Sequence, residues 1–138
     1  MKKILVTGGT GMVGQSFNNL QTGYEFISVG SSQYNLCHAD EVDSMILNHN
    51  PDAIIHLAAR VGGVKSNTEF VADFFRDNIL MNTNVLDASM RLGVKKVVSL
   101  LSTCVYPDKA QYPLTPEQFH DGAPHSSNFG YAYAKRMI

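Results

Sequence analysis

Near its start the sequence runs KILVTGGTGMVG, an apolar stretch that passes straight into four glycines within residues 8–14. No other feature constrains the fold as strongly. KILVT reads as a buried strand, and Gly8, Gly9, Gly11 and Gly14 satisfy both G-x-x-G-x-x-G and G-x-G-x-x-G. The turn is expected to open a helix with Val13, Phe17 and Leu20 at i, i+4 and i+7 on one face. In that order, strand, glycine turn and helix let backbone approach a pyrophosphate, whose charge is met by free N–H groups and the dipole at the helix start. A tight turn without a ligand is the simpler alternative, and the strand-turn-helix setting argues against it.

The remainder alternates between strand-like and helix-like patterns, which predicts an α/β fold with a parallel sheet. EFISV is the second strand. A helix with Val42, Met45 and Ile46 on one face follows and stops before Asn50 and Pro51, and AIIHLAA is the third strand. A long helix is expected from about Phe70 to Leu92, with Phe74, Met81, Val85 and Leu92 inward and Gly93 as its left-handed terminator. KKVVSLL is the fourth strand. Residues 107–130, rich in Pro, His, Ser, Asn and Gly, read as a long loop, and a helix restarts near Tyr131. The expected architecture is a Rossmann-type doubly wound parallel sheet with strands in the order 3-2-1-4, leaving strand four as an edge.

A chain of 138 residues, 44% hydrophobic, supports one core, so residues 1–138 are read as one domain. A net charge of -1 leaves no footprint for nucleic acid or an anionic membrane and favours small-molecule chemistry. Cys37 and Cys104 are far apart and in no C-x-x-C pair, which predicts neither a disulfide framework nor a zinc site and fits a reducing, cytoplasmic setting. The apolar run in MKKILVTGG ends at Val6, too short for a signal peptide.

After strand two, where an acid would meet a ribose 2′-hydroxyl, the sequence reads VGSSQYNL. With no carboxylate between Glu25 and Asp40, nothing in that stretch repels a 2′-phosphate, and Ser31, Ser32 and Gln33 offer donors to it. NADP is therefore the expected cofactor, although the same residues also suit a plain turn. Ligands in such sheets bind beyond the carboxyl ends of the strands, where SLLSTCVYP places Ser102 and Cys104. Side chains in extended backbone alternate, so Ser102 and Cys104, two residues apart, are expected to share a face. An isolated cysteine there reads as a buried, inert thiol. Its company is GYAYAKR, in which Tyr131 and Lys135 are i, i+4 neighbours on one helical face. An ammonium near a phenol is expected to lower its pKa from about 10 and make it a proton donor and acceptor near neutrality.

The glycine turn, Ser102 and the Tyr131–Lys135 pair together resemble the extended branch of the short-chain dehydrogenase/reductase superfamily, as do HLAA and RDNILMNTNVL. Within it, AARVGGVKSN, LLSTCVYPDK and HSSNFGYAYAKRM closely resemble the GDP-L-fucose synthase family of epimerase-reductases. That resemblance implies that Cys104 is a base for the protons at sugar carbons 3 and 5 of GDP-4-keto-6-deoxy-D-mannose. It implies that Ser102 and Tyr131 hold the enolate oxygen, and that Tyr131, with Lys135, protonates it as NADPH reduces carbon 4. The cofactor set it implies is Gly8, Gly9, Thr10, Gly11, Met12, Val13, Gly14, Ser31, Ser32, Asn35, Leu36, Ala58, Ala59, Leu100, Leu101 and Lys135. No metal is expected: His120, Asp121 and His125 match no standard spacing. His56 is read as structural, and His38 and His49 as surface residues. Asn78 resembles the branch's helix asparagine, with a solvent-facing asparagine as the alternative. The family's acid histidine and substrate domain lie outside these residues, so the 138 residues alone are expected to bind NADPH weakly without turnover. The full-length protein is expected to be a homodimer. Another nucleotide-sugar epimerase or dehydratase, or a noncatalytic NADPH-binding module, are the competing readings, and Cys104 speaks against the first.

Overall fold

The computed structural model describes all 138 residues. They form four strands, β1 (Lys2–Thr7), β2 (Tyr24–Val29), β3 (Ala53–His56) and β4 (Lys96–Ser99). The four α-helices are α1 (Ala39–His49), α2 (Val64–Glu69), α3 (Val71–Arg91) and α4 (Phe129–Arg136). The chain divides into two compact units, one made of Met1–Ala59 and Leu80–Leu100, the other of Arg60–Ile79 and Leu101–Ile138.

The first unit holds the sheet, which is parallel throughout and ordered β2-β1-β3-β4. The expected order 3-2-1-4 is therefore corrected: β3 pairs with β1 on the side away from β2, with Ile4 opposite Ala53 and Thr7 opposite His56. The physical reason lies in what each strand can bury. β1 and β3 supply Leu5, Val6, Thr7, Ile54 and His56, all fully buried, whereas β2 buries only Val29 and β4 no residue, so the two most buried strands lie in the middle of the sheet. β2 begins with the exposed Tyr24 and Glu25, and β4 with the exposed Lys96, which suits both to edges. β4 is an edge, as expected, and its Val98 is half exposed.

Leu5, Val29, Val42, Met45, Ile54 and Val85 form the heart of the core, each such side chain contributing roughly 1.5–3 kcal/mol of burial. α1 buries the expected Val42, Met45 and Ile46 and ends at Asn50, whose left-handed φ of 44° precedes Pro51. α3 matches the long helix expected from the sequence, and Gly93 follows it with φ 76°.

The helix expected after the glycine turn is not there. Only a 3₁₀ turn, Gly14–Phe17, forms, and Val13 and Leu20 are largely exposed. Gly14, Ser16, Asn18 and Asn19 are poor helix formers, and Gly23 stands too close for a stable helix to propagate. The Ser16 hydroxyl also donates to the Val13 carbonyl (2.6 Å), a local bond that competes with helical pairing.

In the second unit α2, which sequence patterning did not anticipate, packs with α4 and with the 3₁₀ turn Ser126–Asn128. Residues 107–130 are more ordered than a plain loop. Pro107 and Pro124 form an antiparallel bridge, Asp108 N–H donates to the Ala123 carbonyl (3.2 Å), and Pro116–His120 is a 3₁₀ turn. α4 begins two residues before Tyr131, with Ala132 and Ala134 fully buried.

Candidate functional site

The first unit carries the glycine turn. Gly8 has φ 71°, and a Cβ there would lie 2.8 Å from the Ala58 nitrogen, so only glycine fits. A Cβ on Gly14 would run into the Gly8 carbonyl and the Gly9 backbone. The turn is braced by Gly9 N–H to the Val29 carbonyl (2.9 Å) and Gly11 N–H to the Gly8 carbonyl (2.9 Å). The Gln15 side chain donates to the Thr10 carbonyl (3.0 Å). Meanwhile the N–H groups of Thr10, Met12 and Val13 have no acceptor within the chain, and all three residues are exposed. Backbone donors left open around a cradle that no side chain fills suit a pyrophosphate.

Beneath the turn, Thr7 Oγ1 lies 2.7 Å from His56 Nδ1 and accepts from Ala58 N–H (3.4 Å), while His56 Nε2 lies 3.1 Å from Asn82 Oδ1. With the Thr7 hydroxyl donating to Nδ1, the His56 ring is the tautomer protonated at Nε2. This buried chain ties β1, β3 and α3 together next to Ala58 and Ala59.

At the end of β2 the Gln33 side-chain carbonyl accepts Gly30 N–H (3.0 Å), and Ser31, Ser32 and Gln33 are all exposed. The Leu36 side chain is in the core, and its carbonyl accepts from Asn84 (2.9 Å). Glu41, outside the stretch searched in the sequence, folds back to accept Asn35 N–H (2.6 Å). That bond and the neighbouring His38 hold its carboxyl below the usual range. Leu100 belongs to this unit, whereas Leu101 and Lys135 belong to the other.

The second unit carries the side-chain cluster. Ser102 is extended, but the chain then turns into a 3₁₀ turn, Thr103–Val105, so strand alternation does not operate here. What joins the pair is a cap: Cys104 N–H donates to Ser102 Oγ (3.2 Å). Ser102 also acts on the Tyr131 phenol, where it favours the ionised form.

Burial raises the Tyr131 pKa, Ser102 opposes the rise, and charge on Cys104 adds to it. The expected lowering by Lys135 is thus corrected: desolvation of the phenolate outweighs the favourable groups around it, and the phenol stays protonated at neutrality. Lys135 is itself 2% exposed, and burial lowers its pKa.

Asn78 is fully buried rather than facing solvent. Its Oδ1 accepts Arg60 N–H (3.0 Å) and its Nδ2 donates to the carbonyls of Arg60 (2.9 Å) and Phe74 (2.7 Å). Arg60 Nη1 pairs with Asp77 (2.6 Å); burial pushes that carboxyl up, but the hydrogen bonds from Arg60 and Arg76 hold it below the ordinary value. A second buried asparagine, Asn67, donates to the carbonyls of Gly62 (2.8 Å) and Gly63 (3.1 Å). Asn67 lies within the stretch AARVGGVKSN, but the sequence reading gave it no role, because it acts on main-chain carbonyls.

A parallel α/β sheet whose first strand ends in an open glycine turn defines a nucleotide-binding protein of the Rossmann class. The chain belongs to the NAD dependent epimerase/dehydratase family, whose profile matches residues 4–138. It is 43% identical over 142 residues to the GDP-L-fucose synthase of Dictyostelium discoideum, covering 99% of this chain and 44% of that protein. To the enzyme of that name from Sinorhizobium fredii it is 36% identical over 136 residues, covering 97% of this chain and 43% of that protein. The crystal structure of a GDP-L-fucose synthetase from Naegleria fowleri bound to NADP superposes with a TM-score of 0.90 at 45% identity, over 99% of this chain and 45% of that one. The chain thus spans less than half the length of these relatives.

Proposed function

We propose that these residues form the cofactor-binding part, with the thiol, serine and tyrosine of the active site, of a GDP-L-fucose synthase acting on GDP-4-keto-6-deoxy-D-mannose with NADPH. The observation that carries the reading is the Ser102 hydroxyl, which caps the Cys104 turn and acts on the Tyr131 phenol, in a chain 43% identical to a protein of that name. NADPH is the cofactor, held at the Gly8–Gly14 backbone, with Ser31 and Ser32 toward its 2′-phosphate. When bound it supplies the hydride for carbon 4.

The chain's own residues do the rest. The carbonyl at carbon 4 acidifies the protons at carbons 3 and 5, and the Cys104 thiolate removes each in turn. The resulting enolate oxygen is stabilised by the Ser102 and Tyr131 hydroxyls, each carbon takes a proton on its opposite face from an acid outside these residues, and Cys104 releases its proton to solvent before it acts at the second carbon. A phenol kept protonated by burial then gives its proton to the oxygen at carbon 4 during reduction, beside the Lys135 ammonium. In this reading the full-length protein works as a cytoplasmic homodimer.

The test is to incubate the full-length protein with NADPH and the 4-keto sugar, following NADPH oxidation at 340 nm and product by NMR. Substrate-dependent oxidation with inverted carbons 3 and 5 is expected. Oxidation that yields a product of unchanged configuration at both carbons would contradict the reading.

A further inference from the structure

Arg136 lies at the last turn of α4, directly after Lys135, and spans three segments of its unit. Its Nε–H donates to the Val105 carbonyl (2.5 Å) and its Nη2 donates to the Gly122 carbonyl (2.8 Å). The guanidinium lies over the Tyr133 ring (5.4 Å) and the Phe119 ring (5.9 Å), and Phe119 in turn meets Tyr106 edge-on at 5.8 Å. No carboxylate pairs with it. Two of its five N–H donors go to main-chain carbonyls, one of them that of the residue next to the thiol, and Val105 is 1% exposed.

We infer that Arg136 is a positioning residue that fixes the Cys104 thiol relative to Tyr131. The inference rests on the reading of Cys104 and Tyr131 as acid-base groups. The turn bearing Cys104 is only three residues long, too short to hold a side chain rigidly by itself. On its upstream side the Ser102 hydroxyl caps it; on its downstream side the Val105 carbonyl is gripped by the helix that carries the phenol. Arg136 therefore couples the place of the thiol to the place of the tyrosine. A planar fork reaches both carbonyls at once, which a lysine cannot do.

The experiment uses the full-length protein and reads solvent deuterium uptake at carbons 3 and 5 of the 4-keto sugar, with NADPH affinity and circular dichroism alongside. Arg136→Met should slow uptake about 10²-fold at unchanged KM, the scale of a small misplacement of a reacting group. Arg136→Lys should recover part of that loss, and both variants should bind NADPH as the wild type does. The inference is overturned if Arg136→Met exchanges at the wild-type rate, or if uptake and NADPH affinity fall together in both variants, the mark of a general loss of structure. Cys104→Ser in the same assay separates the two levels. If it exchanges normally, the assignment of the thiol fails and this inference falls with it; if it is silent while both Arg136 variants exchange normally, only the inference is overturned.

Discussion

The Gly8–Gly14 turn offers its ligand backbone, whereas residues 102–104 and 131 offer side chains, and different forces hold the two regions. The turn is shaped by the absence of side chains: Gly8 needs its positive φ, and Gly14 has the Gly8 carbonyl where a Cβ would go. The cluster is shaped by what its side chains bond to. Ser102 caps the Cys104 turn and acts on the phenol, while burial raises the pKa of Tyr131 and lowers that of Lys135. The difference teaches where each region is vulnerable. One is broken by adding atoms, the other by removing a single hydrogen bond.

The largest effect is expected at the turn. Gly14→Val adds a branched side chain where even one Cβ has no room, and overpacking of this kind costs about 1–3 kcal/mol. If most of that cost falls on the ligand-shaped conformation, NADPH binds about ten- to a hundredfold more weakly. Fluorescence titration checks this, and an affinity within a factor of about two of wild type would mean that the turn is not the cofactor cradle.

A smaller effect at the cluster sharpens the contrast. Because the folded-state pKa of Tyr131 is raised above its unfolded value of about 10, the folded protein keeps that proton where the unfolded chain loses it. The stability this contributes is complete below about pH 10 and is lost as pH rises through the folded value. Tyr131→Phe removes the group, so its unfolding free energy should decline less steeply than that of wild type from about pH 9 to about pH 11. Denaturant titrations across that range measure it; parallel declines would place the phenol in water rather than in a desolvated site.

The same contrast explains how far the molecule was legible in its sequence. The glycine turn was readable because its requirements are local: glycines at fixed offsets after an apolar strand. The strands and the long α3 were readable from periodicity. Strand order was not, since whether β3 lies beside β1 depends on which strands carry the most buried residues, a competition among all four. The helix after the turn failed because apolar spacing at Val13, Phe17 and Leu20 was weighed without the Gly, Ser and Asn between them.

At the cluster, the proximity of Ser102 and Cys104 was anticipated for the wrong reason, alternation in a strand, when a capped 3₁₀ turn achieves it. The direction of the Tyr131 shift was misjudged because helical spacing reveals a nearby ammonium but not desolvation. Asn67, Asn78 and Arg136 bond to carbonyls at positions that the sequence pattern does not place, so nothing in the local pattern marked their partners.

The central claim is that thiol and phenol divide the chemistry between them. It is tested most directly by comparing Cys104→Ser and Tyr131→Phe in the full-length protein, reading deuterium uptake at carbons 3 and 5 by NMR and NADPH oxidation in parallel. A serine hydroxyl is a far weaker acid than a thiol, so Cys104→Ser should abolish uptake. Tyr131→Phe should retain part of the uptake while reduction nearly stops. Uptake at the wild-type rate in Cys104→Ser would contradict the account and return Cys104 to a structural role.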